Sequence, residues 1–392
     1  MLAVRPDDQK QQAAPGGDGA RVLSIDFWRG FAIVTIFINH IPGNLFEAYT
    51  HKNFGFSDAA ELFVLLAGIA AAFAYFRGFS SRPARTVMRI GLRVWTLYMA
   101  HLTLIAICGA IVAYAVLVTE DTRLLEATQF DQIMGNPLSA TLGVATLGLQ
   151  PAYLNILPLY VVLLLMAPAM MSLLRVSPWL ALAVSGLVYT GAQLLEFTLP
   201  AYPTTEAWYF NPFAWQLLFM TGLCIGSVLG AGRRIPVGNL LLAASVAYVL
   251  LALVWWRMGW IVDLSPVPRF LWDFDKTNLS LPRLLHVLAL ACIMSRLPVE
   301  RLLRRTGAGR PLILLGRHSL PVFCVGTVLS MAATPVRISE LGHPALDLLI
   351  IPGGIVVQLA LAWVLEWYRG SSSTASSRAS RAPSASADIA QA

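Results

Sequence analysis

Repeated apolar runs, most of them near 20 residues long, constrain this chain before any other feature does. About 20 apolar residues in a helix cross the roughly 30 Å hydrocarbon core of a bilayer. Only helices and closed barrels satisfy their backbone polar groups there. A barrel would show short segments of alternating hydrophobicity, and the sequence has none. The fold class expected is therefore all-α, a polytopic transmembrane helical bundle. Ten spans are expected, near 27–46, 57–76, 90–118, 151–173, 179–196, 212–231, 238–257, 283–298, 312–334 and 346–368. Composition agrees, with 12% charged residues where soluble domains carry about 25%.

The polar ends set the domain limits. Residues 1–22 lack an apolar segment, so the first run reads as an uncleaved helix rather than a removed signal peptide. Residues 370–392 are rich in Ser and Ala. Both ends are expected to be disordered cytoplasmic tails around one membrane domain at 23–369. The loops between spans alternate in charge. With the N-terminus in the cytoplasm, 20 of the 28 basic residues fall on the cytoplasmic side, including five arginines from Arg77 to Arg93 and five from Arg296 to Arg310. The C-terminus then lies on the same side, and most acids lie opposite. The net charge of +7 is thus a topology signal spread between apolar runs, and no nucleic-acid partner is expected.

Cys108, Cys224, Cys292 and Cys324 fall in four different apolar runs and read as small core hydrophobes. No metal site is expected. No Walker loop, dinucleotide fingerprint or Gly-x-Ser-x-Gly elbow occurs, so ATP hydrolysis, redox chemistry and serine-hydrolase chemistry lack support.

The chemistry concentrates in the first two apolar runs, which hold Arg29, His40, Asp58 and Glu61. Charged groups inside a bilayer are costly and mark functional sites. Arg29 and His40 are eleven residues apart, which puts them on one helix face about 16 Å apart along the axis. Asp58 and Glu61 are three apart and share a face as well. The topology puts Arg29 at the cytoplasmic end and the other three towards the outer side. A carboxylate beside a histidine orients the ring and raises its basicity, as a general base needs. Each residue also has a plainer reading. Arg29 could snorkel to lipid phosphate, His40 could be a satisfied core histidine, and Asp58 could cap the second span. Glu61 lies a full turn inside, where capping cannot explain it.

Weaker signals lie elsewhere. Tyr98 and His101 could pair across helices. Arg317, His318 and Ser319 open the ninth span, as a polar helix entry or as a second wall of the site. Trp215 and Gln216, in Asn211-Pro212-Phe213-Ala214-Trp215-Gln216, read as an interfacial belt or as a sugar grip. His51, His286 and His343 read as incidental.

Several stretches together resemble the OpgC family of the acyltransferase 3 superfamily. They are Asp26-x-x-Arg29-Gly30, the Arg29-x10-His40 spacing, Ser57-Asp58-Ala59-Ala60-Glu61-Leu62-Phe63-Val64, Pro158-Leu159-Tyr160, Asn211 to Phe219 and Leu315 to Phe323. The resemblance covers residues 23 to 368 and departs at Ala67-Gly68, where Ser-Gly is expected. It implies acyl transfer, succinyl in the best-known members, from cytoplasmic acyl-CoA to a periplasmic glucan or other extracytoplasmic carbohydrate. The expected place is the bacterial inner membrane. Acyl-CoA is then a co-substrate and no cofactor is needed. Arg29 and His40 match the superfamily's signature pair.

On this reading His40 is the base, with Glu61 or Asp58 orienting it. Arg29 and Arg77 hold the donor's phosphates, since guanidinium suits phosphate. Arg317 or His318 would stabilise the oxyanion. Partners are acyl-CoA, a glycan acceptor and membrane lipid. The acidic outer loops carrying Trp208, Trp260 and Trp272 suit a sugar path. The competing reading is a proton-coupled transporter of a glycan or small anion that uses the same buried charges.

Overall fold

The computed structural model describes residues 23–379 apart from 205–206, 261, 308 and 339–342. The tail expected at 1–22 lies outside the described residues. The chain forms α1 (Leu23–Asn39), α2 (Ala59–Ser81) and α3 (Pro83–Thr119), then the short helices α4 (Arg123–Thr128), α5 (Asp131–Gly135) and α6 (Pro137–Ala145). It continues with α7 (Ile156–Val176), α8 (Pro178–Leu195), α9 (Pro212–Gly230), α10 (Asn239–Met258) and α11 (Leu281–Arg296). The last four are α12 (Val299–Thr306), α13 (Arg310–Arg317), α14 (Ser319–Ile338) and α15 (Pro344–Ala379). Among the described residues there is no strand, only an isolated bridge between Pro200 and Ala207.

Eight of these helices, α2, α3, α7, α8, α9, α10, α14 and α15, are long and apolar enough to cross a membrane. The two other expected spans form helices just short of that length. α1 has 17 residues and α11 has 16. α1 stops early because Pro42 has no N–H to continue the ladder and forces the residue before it out of helical geometry. Gly43 then turns the chain at φ +67°. The span expected at 312–334 is broken at His318, so α13 and α14 are separate helices. α3 spans about 55 Å at 1.5 Å per residue, well beyond the hydrocarbon thickness. α15 runs to Ala379, past the expected boundary at 369. Part of the expected tail is therefore helical, and residues 380–392 lie outside the described residues.

Burial sorts the helices into two layers. More than half of the apolar window of α2, α7, α9 and α14 is buried within the protein, against 11% for α10 and 22% for α3, α8 and α15. The outer helices expose Leu240, Leu187, Trp179 and Trp363, as lipid-facing surfaces do.

Small residues let the inner helices touch backbone to backbone. A Cβ on Gly30 would collide with the Leu312 carbonyl, and one on Gly316 with the Asp26 carbonyl, so α1 and α13 cross at a pair of glycines. α2 and α9 cross in the same way at Gly68 and Gly222. The Gly30 and Gly316 crossing fixes the geometry of the site.

Candidate active site

The α1–α13 crossing brings two separate stretches of sequence together. Arg29 Nη2 donates to Ser319 Oγ at 2.7 Å, across 290 positions of chain. Arg317 reaches back to Asp26 at 3.8 Å. The second wall thus meets the Arg29 end of α1. Arg317 Nη1 also contacts Glu366 Oε1 at 2.9 Å, and His318 Nε2 lies 2.8 Å from Glu366 Oε2. Glu366 comes from α15 and was missed in the sequence, where it is one acid in a long apolar helix. Its signal was present, because an acid there calls for a cationic partner.

Arg317 and His318 cannot serve an oxyanion beside His40. Arg317 meets Asp26, fourteen residues before His40 and about 21 Å from it along the helix. Arg77 is exposed and donates to the Gly230 carbonyl at the end of α9, with no contact to Arg29 among the described residues.

At the other end of α1, His40 continues the last turn, its N–H bonded to the Ile36 carbonyl at 2.9 Å. Its ring stacks at a tilt on Tyr153, centroid to centroid 4.6 Å. Its Nδ1 is buried without a hydrogen-bond partner. The ring borders a narrow crevice between α1 and α14, formed with Ile33, Phe37, Phe323 and Thr327.

The expected hydrogen bond from His40 to a carboxylate does not form. Asp58 is the N-cap of α2 and accepts from Ala60 N at 2.8 Å, while Glu61 Oε2 accepts from Asp58 N at 2.9 Å. The pair is a reciprocal capping box, so capping does account for Glu61. The remaining carboxylate valence goes to two cations. Lys276 Nζ meets Asp58 Oδ2 at 2.6 Å, and Arg283 meets Glu61 Oε1 at 2.5 Å and Asp58 Oδ2 at 3.5 Å. Glu61 is completely buried. A buried carboxylate must be paired, and these two basic residues, sitting against the positive-inside trend, are the partners that the sequence reading overlooked.

Three further expectations change. Trp215 is fully buried, its indole N–H donating to the carbonyls of Lys276 and Thr277 at 3.2 and 3.1 Å. Gln216 is spent on Ser185, accepting from Oγ at 2.6 Å and donating to its carbonyl at 2.8 Å. Neither side chain can grip a sugar. His286 is buried and not incidental, with Ser57 Oγ 2.7 Å from its Nδ1. Tyr98 bonds the Ala145 carbonyl, and His101 is buried with neither ring nitrogen hydrogen-bonded.

Among the described residues no cluster of His, Cys, Asp and Glu could hold a metal ion. The arrangement offers an anion contact at Arg29, an imidazole at His40 and a charge-compensated cluster at the start of α2.

No curated protein and no solved structure matches this chain. A protein-family model does, the one described as OpgC protein, over residues 21–370. That match runs from the start of α1 through the last apolar helix and takes in both ends of the site, so the chain belongs to the OpgC family.

Proposed function

We infer that the protein is an integral-membrane O-acyltransferase that moves an acyl group, succinyl in the first instance, from cytoplasmic acyl-CoA to a hydroxyl of a periplasmic glucan. Membership of the OpgC family suggests a membrane glucan-modifying acyltransferase. The donor, the acyl group, the acceptor and the bacterial inner membrane as location are our reading.

One observation carries it. Arg29 and His40 sit on one helix about 16 Å apart, and both are turned into protein contacts, with Ser319 and with Tyr153. Such a helix links an anion-binding end to a base end. Arg29 holds donor phosphate, and the phosphopantetheine arm runs along α1 towards His40. His40 takes the proton of a sugar hydroxyl as its oxygen attacks the thioester carbonyl. The transporter reading needs a carboxylate free to exchange protons. Asp58 and Glu61 are instead neutralised by Lys276 and Arg283, which favours the enzyme.

The test uses the purified protein in oriented vesicles, with thiol release from acyl-CoA followed against glucan on either side. Glucan-dependent release is expected only with acyl-CoA on the cytoplasmic face and glucan on the outer face. Release with both on the cytoplasmic face would place acylation before export. Glucan passage without thiol release would make the protein a transporter.

A further inference from the structure

The crevice beside His40 follows the stripe of α1 that joins the two ends of the site. Its α1 wall is Ile33, Ile36, Phe37 and His40, which share one helix face with Arg29. α14 supplies Phe323, Gly326 and Thr327 opposite. Gly326 is two turns past Ser319, about 10 Å along α14 from the contact with Arg29. The crevice holds about 160 Å³ and is too narrow for a water molecule.

α15 closes its third side. A Cβ on Gly354 would strike the Phe37 ring, and one on Gly326 would lie 3.2 Å from Gln358 Oε1. Gly354 and Gln358 are one turn apart, so a single face of α15 backs both Phe37 and Gly326. Because Gly326 has no side chain, the Gln358 amide reaches the crevice wall at that point.

Gln358 is fully buried, although Val356 and Val357 beside it face outwards. Its Nε2 donates to the Gly354 carbonyl at 3.3 Å. Its Oε1 has no partner among the described residues, and neither does His40 Nδ1. Thr327, the other polar side chain here, is satisfied by the Phe323 carbonyl at 3.0 Å. Buried polar atoms are nearly always hydrogen-bonded, and an amide oxygen left bare inside a membrane protein is costly. Water cannot serve it through so narrow a crevice. Its partner is then a donor group that arrives with a ligand.

A pantetheine arm has the matching shape and chemistry. It is a slender chain of methylenes interrupted by two amide groups, and two carbons separate the nearer amide from the sulfur. With the thioester at His40, that amide lies on the Arg29 side of the imidazole, towards Gly326. The methylenes suit Ile33, Ile36, Phe37 and Phe323, while the amide N–H needs an acceptor in an otherwise apolar wall. A sugar that reaches His40 from the outer face has no reason to pass beyond it.

We propose that Gln358 Oε1 accepts the N–H of the amide nearest the sulfur as the donor's arm parts the walls of the crevice. This rests on the acyltransferase reading above. Gln358 is then a donor-specificity residue, selecting thioesters that carry this amide over simple alkyl thioesters.

The test compares two truncated donors. An acyl-N-acetylcysteamine thioester keeps the amide, and an S-alkyl thioester of equal length replaces it with methylenes. Wild type should use the first with about 5–10-fold higher kcat/KM, the change expected for one net hydrogen bond. Gln358→Met keeps the bulk, removes the acceptor and should erase that preference. Gly326→Ala is the second variant, available if Gln358→Met does not fold. Its methyl group crowds the amide oxygen and should also reduce the preference. Equal loss with both donors would mean a packing role and would overturn the proposal. So would a wild type indifferent to the amide, or a preference that survives in a folded Gln358→Met. Absence of glucan-dependent thiol release from acyl-CoA in wild type would count against the acyltransferase reading itself.

Discussion

Arg29 and Ser319 lie 290 positions apart and meet in a 2.7 Å hydrogen bond. The bond exists because α1 and α13 cross at Gly30 and Gly316, which seats the start of α14 against the polar end of α1. It holds the guanidinium against the start of α14, where on the acyltransferase reading its fork would meet a donor phosphate.

Replacing that fork tests the donor site. Arg29→Lys puts a point charge where a planar bidentate group was. CoA affinity should fall, and Arg29→Ala should lower it further, while His40→Ala binds CoA like wild type. Titration calorimetry of the solubilised protein measures all three. Equal affinity in Arg29→Ala and wild type would remove Arg29 from the donor site.

His40 should carry turnover and not stability. Its side chain makes no hydrogen bond that His40→Ala would strand, and Tyr153 loses only a ring contact. Turnover should drop about 10²–10⁴-fold, the range for a general base, with the unfolding midpoint nearly unmoved. Near-normal turnover in this variant would sink the mechanism.

Glu61 should behave in the opposite way. Glu61→Ala leaves Arg283 buried beside one carboxylate instead of two and opens the capping box. Removing one partner of a buried pair costs about 3–5 kcal/mol. Glu61→Gln, which keeps an acceptor for Asp58 N–H, should lose less. Thermal unfolding in detergent ranks the two, and an unchanged midpoint in Glu61→Ala would mean that the cluster does not lock α2 to α11.

The glycine crossing gives the steepest packing test. A methyl group on Gly316 meets backbone, the Asp26 carbonyl, which has no rotamer to move to. Overpacking of this kind costs about 1–3 kcal/mol, occasionally more. Gly316→Ala should destabilise the protein and also weaken CoA binding, because it lifts Ser319 from Arg29. Gly353→Ala, which meets open space, is the control.

The helices were legible because a bilayer allows few ways to bury a backbone, and apolar length alone marks each crossing. Arg29 and His40 were legible for a related reason. They sit on one continuous helix, and helical periodicity relates their side chains without knowledge of any other segment. The capping box at Asp58 and Glu61 is equally local, with the motif's own spacing of three, yet the sequence reading put Glu61 beyond capping because its depth in the helix outweighed the spacing.

The partners of those residues were decided by tertiary structure. Nothing near Asp58 in sequence announces Lys276, 218 positions on, nor does the neighbourhood of Glu61 announce Arg283. Buried charges pair with whatever the packing brings within a few ångströms. The sequence determined where the charges lie along each helix. The tertiary structure decided which of them cancel, leaving no carboxylate bonded to the His40 ring.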